Sequence, residues 1–421
     1  MKRIFAFALG FIAQKIISKY KPKIIGITGS FGKSSTKEAI FCVLSGANLN
    51  VRRSRGNLNN ELGLPLAIIG DFHYAGGALF YITAFIKGLC VWFINNSYPD
   101  ILVLEYGADK PGDIKYLTSI ARPDIAVVTG VSDIPVHVEF YDSPEDVATE
   151  KCNLVKILAD KGTAILNADD PLVAGMADKT NASCLFYGFS SDADVQIKQF
   201  TNRSSNGAPL GVSFEIKTEQ KSASIIIDGV LGRGTAYTVA SAVACGSIFG
   251  IELAKSAEVL SPLQLLPGRA RIIEGDHNIW IIDDSYNASP SAVLESLVAL
   301  ESIQAKRKIA VLGGMMELGK YSDKAHKDIG QRVATVADIV IGIGDKGKQI
   351  ISAISTSGVK TMWFESSVLV AEEIKKIVQE GDVVLVKGSQ SVRAERIVKA
   401  LMKHPEEADK LLVRQYGKWL K

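Results

Sequence analysis

The sequence predicts an α/β protein built as two sheet-containing domains, on three observations. The chain has 421 residues, too long for one ordinary core. Short β-branched apolar runs alternate with stretches of helical periodicity, the rhythm of a mostly parallel sheet covered on both faces. That rhythm stops at the turn signal Pro267-Gly268 and then starts again.

In the first half, Lys23–Thr28 (KIIGIT), Ile101–Glu105 (ILVLE), Ile125–Thr129 (IAVVT) and Thr163–Asn167 (TAILN) read as strands. Between Asp194 and Ile227 the pattern alternates in twos (VQIKQF, VSFEI, SASIIID), predicting a small antiparallel patch. In the second half, Trp280–Asp283, Lys308–Leu312, Ile339–Ile343, Thr361–Phe364 and Val383–Val386 read as the strands of a Rossmann-like unit. The expected division is an apolar N-terminal helix over residues 1–22, a central domain over 23–266 with an apolar insertion at about 70–99, and a C-terminal Rossmann-like domain over 267–421.

Composition removes several function classes. Net charge is +3 with acids and bases mixed, and no basic stripe suggests nucleic acid. The five cysteines are far apart and form no CxxC pair, so neither a zinc site nor a disulfide framework is indicated, and a reducing cytoplasm is the simplest setting. Two apolar stretches invite a membrane reading. Met1–Ala13 begins like a signal peptide, but Gln14-Lys15 follows where small residues should stand. Ala75–Ile94 approaches spanning length, yet a single crossing would part motifs that must share a compartment. Both are expected to be packed or membrane-resting helices.

The chemistry starts in the loop after the first strand, Thr28-Gly-Ser-Phe-Gly-Lys-Ser-Ser-Thr36. Gly29 and Gly32 let backbone N–H groups approach phosphate oxygens, with Ser30 and Ser35 in the same cradle. Lys33 would balance phosphate charge and Ser34 would reach Mg²⁺. The spacing departs from the common phosphate-loop pattern, because Ile27 stands where the first glycine belongs. An ordinary Gly-rich turn is the bland alternative. Glu105 closes an apolar strand, where a carboxylate is costly unless it meets a cation, and a carboxylate beside a phosphate loop is a natural Mg²⁺ ligand.

The loop T-G-S-x-G-K-S-S-T resembles the nucleotide loop of the Mur ligase family, which builds the peptide of bacterial cell walls. Asn57-Leu-Asn-Asn-Glu-Leu-Gly-Leu-Pro65 resembles a segment of the member that adds D-alanyl-D-alanine to a UDP-muramoyl tripeptide. Further matches follow in order at Glu105-Tyr-Gly-Ala108, Leu166-Asn-Ala-Asp-Asp-Pro171, Pro267-Gly-Arg269, Asp283-Asp-Ser-Tyr-Asn-Ala-Ser-Pro290 and Lys387-Gly-Ser389.

The resemblance implies an ATP-dependent ligase that forms an amide bond through an acyl phosphate. The implied substrates are a muramoyl peptide and a D-Ala-D-Ala dipeptide, with ATP and two Mg²⁺. It implies Ser34, Glu105 and His137 around metal, and at Lys151 a carbamylated lysine as a further ligand. Lys33, Glu105, His137 and Lys151 would be catalytic. Asn167, Tyr237, Thr238, Arg269, Asp284 and Asn287 would line the nucleotide, Asn59 and Asn60 the acceptor, and Lys387, Ser389 and Arg393 the incoming amine.

Two departures stand out. Tyr237-Thr238 replaces the family's H-N-x-x-N, removing an amide from the adenine side. The family's N-terminal UDP-binding domain has no counterpart ahead of the loop. The expectation is therefore fewer contacts to UDP, a partner protein, or a lipid-linked carboxylate at the inner face of the membrane. Rival readings are a polyglutamate- or cyanophycin-type ligase, a P-loop ATPase or kinase, and an inactive scaffold.

Overall fold

A nine-stranded sheet forms the first half of the molecule, seen in a computed structural model that describes residues 2–72, 76–135, 137–355 and 358–420. Met1, residues 73–75 of the apolar insertion and Val136 of the histidine segment lie outside the described residues. In chain order the strands are β1 (Lys23–Thr28), β2 (Val51–Arg53), β3 (Ile101–Glu105), β4 (Ile125–Val128), β5 (Thr163–Asn167), β6 (Ser183–Gly188), β7 (Val195–Ser205), β8 (Ala208–Lys217) and β9 (Ser222–Asp228). Their spatial order is β2-β3-β1-β4-β5-β6-β7-β8-β9. Pairing is parallel from β2 to β7 and antiparallel from β7 to β9. The antiparallel patch is thus a continuation of the parallel sheet.

Strand alternation explains why the central runs are apolar at every position. Ile24, Leu102, Leu104 and Val128 point to one face, Ile25, Ile27, Val103 and Val127 to the other. The first face is covered by α1 (Lys2–Tyr20), α3 (Gly63–Ile69), α5 (Asp113–Ile120) and α6 (Pro144–Lys156). The second is covered by α2 (Lys33–Gly46) and the helix Arg233–Ile248.

The first apolar stretch is α1, and the second forms α4 (Ala78–Phe93). The two lie side by side and parallel. Phe5 stacks on Tyr81 with centroids 5.2 Å apart, and Lys19 Nζ donates to the carbonyls of Trp92 (2.7 Å) and Asn95 (3.0 Å). Midway, Gly88 brings the backbones close, since a Cβ there would meet Ile12 Cγ2 at 2.5 Å. Among the described residues no helix is long and apolar enough to cross a membrane.

The second sheet has the order β10-β11-β15-β12-β13-β14. Its strands are β10 (Arg271–Glu274), β11 (Trp280–Asp284), β12 (Arg307–Gly313), β13 (Ile339–Ile343), β14 (Lys360–Phe364) and β15 (Asp382–Lys387). All pairs are parallel except β10 with β11. Helices Pro290–Ser302 and Ser322–Val333 cover one face, Ser367–Ile377 and Glu395–Leu401 the other.

Three strands escape the sequence reading. β2 is Val-Arg-Arg, and its arginines enter the sheet by laying their guanidinium groups on aromatic rings, Arg52 on Tyr98 (4.7 Å) and Arg53 on Phe41 (3.9 Å). β6 and β10 are short and carry no clear alternation.

The close helix crossing generates a prediction. Gly88→Val should lower stability by about 1–3 kcal/mol through overpacking against Ile12, read as an earlier urea midpoint; an unchanged midpoint would show that α4 is free to move away.

Candidate active site

The order of the sheet fixes where a ligand can collect. β1 has β3 on one side and β4 on the other, so the chain leaves β1 in opposite directions and the loops beyond its carboxyl end splay apart. Four segments gather at that crevice: Gly29–Ser34 after β1, Glu105–Ala108 at β3, Thr129–Ser132 after β4 and Asn167–Asp170 after β5.

The loop Gly29–Ser34 is held by its neighbours. Ser30 N–H donates to the Gly130 carbonyl (2.7 Å), and Thr129 Oγ1 donates to the Thr28 carbonyl (3.2 Å). Gly29, at φ +146°, has no room for a side chain, because a Cβ would lie 2.0 Å from Thr129 Oγ1. Gly32, at φ +78°, turns the chain into α2 in the left-handed region that favours glycine. The first-turn amides of α2 thereby face the crevice without helical acceptors. Ser30 Oγ is buried there with no hydrogen-bond partner among the described residues. An unpaired buried hydroxyl beside free amides is what an oxygen-rich anion would satisfy. Ser35 is also buried in this turn.

Glu105 is the buried charge of the site. Ser34 Oγ donates to its Oε2 (3.2 Å), and Lys37 Nζ stands 2.8 Å from Oε1. Lys37 and Glu105 are each only 1% exposed. Lys37 also donates to the Gly56 carbonyl (3.2 Å). Lys33 Nζ folds back onto the Gly29 carbonyl (2.6 Å), and burial is the main cause that lowers its pKa. Arg269 is near enough to lower it further and Glu105 near enough to oppose the shift. Lys151, on α6, is 1% exposed. Burial first, and then the Lys33 charge, push its ammonium down to about 7.

His137 sits in the left-handed region at φ 67°. Its Nδ1 is 2.8 Å from Glu317 Oε2 and its Nε2 is 3.5 Å from Asp109 Oδ1. The His137 ring beside it holds the Glu317 carboxyl below its usual range. His137 therefore bridges the two halves of the molecule, and Glu105 is not among its contacts. Among the described residues no cluster of three His, Cys, Asp or Glu side chains is set to hold a metal. One carboxylate, one hydroxyl and a nearby anion cradle instead fit a hard cation that keeps water and takes phosphate oxygens.

On the nucleotide side, Asn167 Nδ2 donates to the Thr129 carbonyl (3.0 Å) and positions that loop. Tyr237 packs edge-on against Phe189 (5.2 Å), and its hydroxyl donates to Asp169 Oδ2 (2.9 Å). Arg233 lies over the other aromatic, Phe189, at 3.9 Å. Thr238 points into the core, where it is 3% exposed. Arg269 stacks on the Tyr286 ring at 3.9 Å.

In the second half, Asp284 and Lys387 end the paired strands β11 and β15 and join at 2.6 Å. Lys387 also donates to the Asn287 carbonyl (3.1 Å), and Ser296 Oγ donates to Asp284 Oδ2 (2.6 Å). Lys387 is 2% exposed, so it is no solvated surface charge. Ser389 is buried beside Gly314, whose carbonyl accepts its N–H (3.0 Å). Arg393 is already engaged, 2.7 Å from Glu395 and hydrogen-bonded to the Trp419 carbonyl. Asn59 reaches the crevice, its carbonyl accepting the Gly107 N–H (2.8 Å). Asn60 Oδ1 accepts from Gly63 N (2.9 Å) and holds the start of α3.

Sequence reasoning missed Lys37, Asp109, Asp169 and Glu317. Lys37 had a signal: it lies one helical turn after Lys33, and the buried Glu105 required a cation. Glu317 had none, since only the docking of the two halves brings it to His137.

Comparison with known proteins agrees with this geometry. Residues 92–246 match the Mur ligase middle domain and residues 268–390 match the Mur ligase glutamate ligase domain. The chain is 29% identical over 403 residues to the UDP-N-acetylmuramoyl-tripeptide--D-alanyl-D-alanine ligase of Bacillus subtilis (strain 168), covering 94% of this chain and 80% of that protein. It is 31% identical over 404 residues to the enzyme of that name from Mycobacterium leprae (strain TN), covering 88% and 71%. Among solved structures, MurF ligase from Thermotoga maritima in complex with ADP superposes with a TM-score of 0.77 at 27% identity, covering 96% and 84%. With a relative of 31% identity matched over 88% of this chain and 71% of that protein, the chain belongs to the Mur ligase family.

Proposed function

We propose that this chain joins the amine of D-alanyl-D-alanine to the terminal carboxylate of a muramoyl tripeptide, with ATP as the driving substrate. The observation that carries the reading is the anion cradle of Gly29–Ser34 closed by the buried Ser34–Glu105–Lys37 cluster. The relatives' names supply the substrate pair.

In this reading the acceptor carboxylate attacks the γ-phosphorus of ATP. The bond to the bridging oxygen breaks, ADP leaves and an acyl phosphate forms. The neutral dipeptide amine then attacks the acyl carbon, a C–N bond forms, and inorganic phosphate and a proton depart. Lys33 and the α2 amides hold the transferring phosphoryl group, so the protein's work is mostly positioning and electrostatics. Magnesium bound with ATP would neutralise phosphate charge, and Ser34 and Glu105 are the residues that would hold it. Asn59 is assigned to the acceptor and Lys387, held by Asp284, to the incoming amine. Arg269, Asn167 and Tyr237 flank the nucleotide.

Lys151 is read as the site of a carbamate. Its neutral amine adds to CO₂ with loss of one proton, giving a carboxylate able to join His137 at a second metal. The sign of the pH effect follows from the lowered pKa. Below about pH 7 the buried amine is protonated and unreactive. Because the native state binds fewer protons here than the unfolded chain, stability from this site rises with pH above about 7. For the carrier end of the acceptor, the exposed apolar sides of α1 and α4 support a membrane surface over a partner protein, with the reaction in the cytoplasm at the membrane's inner face.

Two measurements test this. Phosphate release from ATP should require both a muramoyl tripeptide and D-Ala-D-Ala, and Lys33→Met should lower kcat by about 10²–10³-fold; release indifferent to either acceptor would sink the ligase reading. Carbon-13 bicarbonate should give a carbamate signal that grows as pH rises through about 7 and is lost in Lys151→Met, with activity down about 10–100-fold. An identical spectrum from the variant would remove Lys151 from the metal site.

A further inference from the structure

The outward sides of α1 and α4 carry large apolar side chains that nothing in the fold covers. Ile4, Phe7 and Phe11 on α1 and Ile82, Ile86 and Phe93 on α4 are all exposed, Phe7 at 77% and Phe93 at 66%. Isolated exposed apolar residues are ordinary, but a contiguous set is not.

The register of the two helices shows that the set is contiguous. They run parallel and touch at Phe5 with Tyr81 and at Ile12 with Gly88. Ile4 and Phe11 each lie one residue before a contact position on α1, a rotation of about 100° in one sense. Ile82 lies one residue after a contact position on α4, about 100° in the opposite sense. For parallel helices these opposite rotations turn both sets to the same side of the contact line. Phe7 and Ile86 extend the rows by three and four residues, along the same faces. The result is one apolar face, two helices wide.

Within the two helices and their flanks the charges are of one sign, and the acid Glu61 comes close to Tyr81 from elsewhere in the fold. The sequence has no Asp or Glu from residue 1 to 37, nor from 72 to 99. Over those stretches Arg3 and Lys15 lie beside the exposed α1 residues, with Lys15 Nζ 5.1 Å from the Phe11 ring, while Lys19 bonds across to the end of α4 and Lys87 lies over Phe72 on the other side of the contact line. A second copy docked by a two-fold axis would set these cations against themselves. A bilayer with anionic headgroups instead takes the apolar side chains at its acyl boundary and the cations at its phosphates.

We infer that the α1/α4 face rests on an anionic lipid bilayer, holding the enzyme at the membrane surface without crossing it. The face adjoins the acceptor side of the crevice, because α4 packs on α3 and α3 begins at the Asn57–Pro65 segment. The inference does not depend on the ligase reading, since binding is measured without turnover.

The test is co-sedimentation of the full chain with phosphatidylglycerol–phosphatidylcholine vesicles and with pure phosphatidylcholine vesicles. The wild-type chain should pellet with the anionic vesicles, less at raised salt and less with phosphatidylcholine alone. The double variant Phe7→Glu, Ile86→Glu should bind about tenfold or more weakly, with unchanged thermal unfolding and unchanged ATP turnover. The single variant Phe7→Glu, at a fully solvated position, gives the same reading should the double variant unfold. Failure of the wild-type chain to pellet with either vesicle would overturn the inference. So would pelleting that the substitutions leave intact, or a dimer that the substitutions dissociate in a chain that binds no vesicle.

Discussion

A carboxylate at the end of a buried strand constrains the rest of this molecule. Glu105 finishes β3 with both neighbouring strands in place, so water cannot reach it. A charge in that position is tolerated only with a cation and a donor within reach, and removing one partner of such a pair costs about 3–5 kcal/mol. Lys37 and Ser34 supply them from α2. The helix that begins at the phosphate loop is therefore locked to the neighbouring strand by the same group that would meet a metal. Loop conformation, helix position and charge balance are one arrangement.

The rest of the crevice follows from how the chain enters and leaves β1. Because β1, β4 and β5 are neighbours in the sheet, the loops after them reach the same edge, and each is held by a side chain from the next. Thr129 limits Gly29 to glycine, and Asn167 holds Thr129. The second sheet repeats the principle at β11 and β15, where adjacent strand ends deliver Asp284 and Lys387 as a pair.

Much of this was legible in the sequence, for identifiable reasons. Strands buried on both faces must be apolar throughout, so KIIGIT, ILVLE and VVLV announce themselves. The glycine–lysine–serine run shows where a strand turns into a helix around an anion. What stayed hidden depends on tertiary contacts. Val51–Arg53 becomes a strand only because Phe41 and Tyr98 receive its arginines. Asn60 reads as a ligand in one dimension, and its bond to a helix start shows only in three. Tyr237 offers a ring to a base in the sequence, but its hydroxyl is committed to Asp169. The partners of His137 come from segments far apart in the chain.

The junction between the two sheets is stapled rather than loose. Ile272 N–H donates to the Gly229 carbonyl (2.8 Å) and Leu231 N–H to the Ala270 carbonyl (3.0 Å), so β10 is sewn to the end of the first half. Further contacts across the cleft are the Glu139 N–H to the Glu317 carbonyl (3.4 Å), His137 with Glu317, Lys320 with the Asp142 carbonyl, Asn57 with Tyr286 and Asn202 with Ser302. Any swing of the second half pivots at the staple, where displacement is least. Opening on the Glu317 side would have to break the Glu139–Glu317 backbone bond as well as the His137–Glu317 pair, whereas Arg269 lies next to the staple. The hinge would gate the histidine side of the site and spare the arginine side.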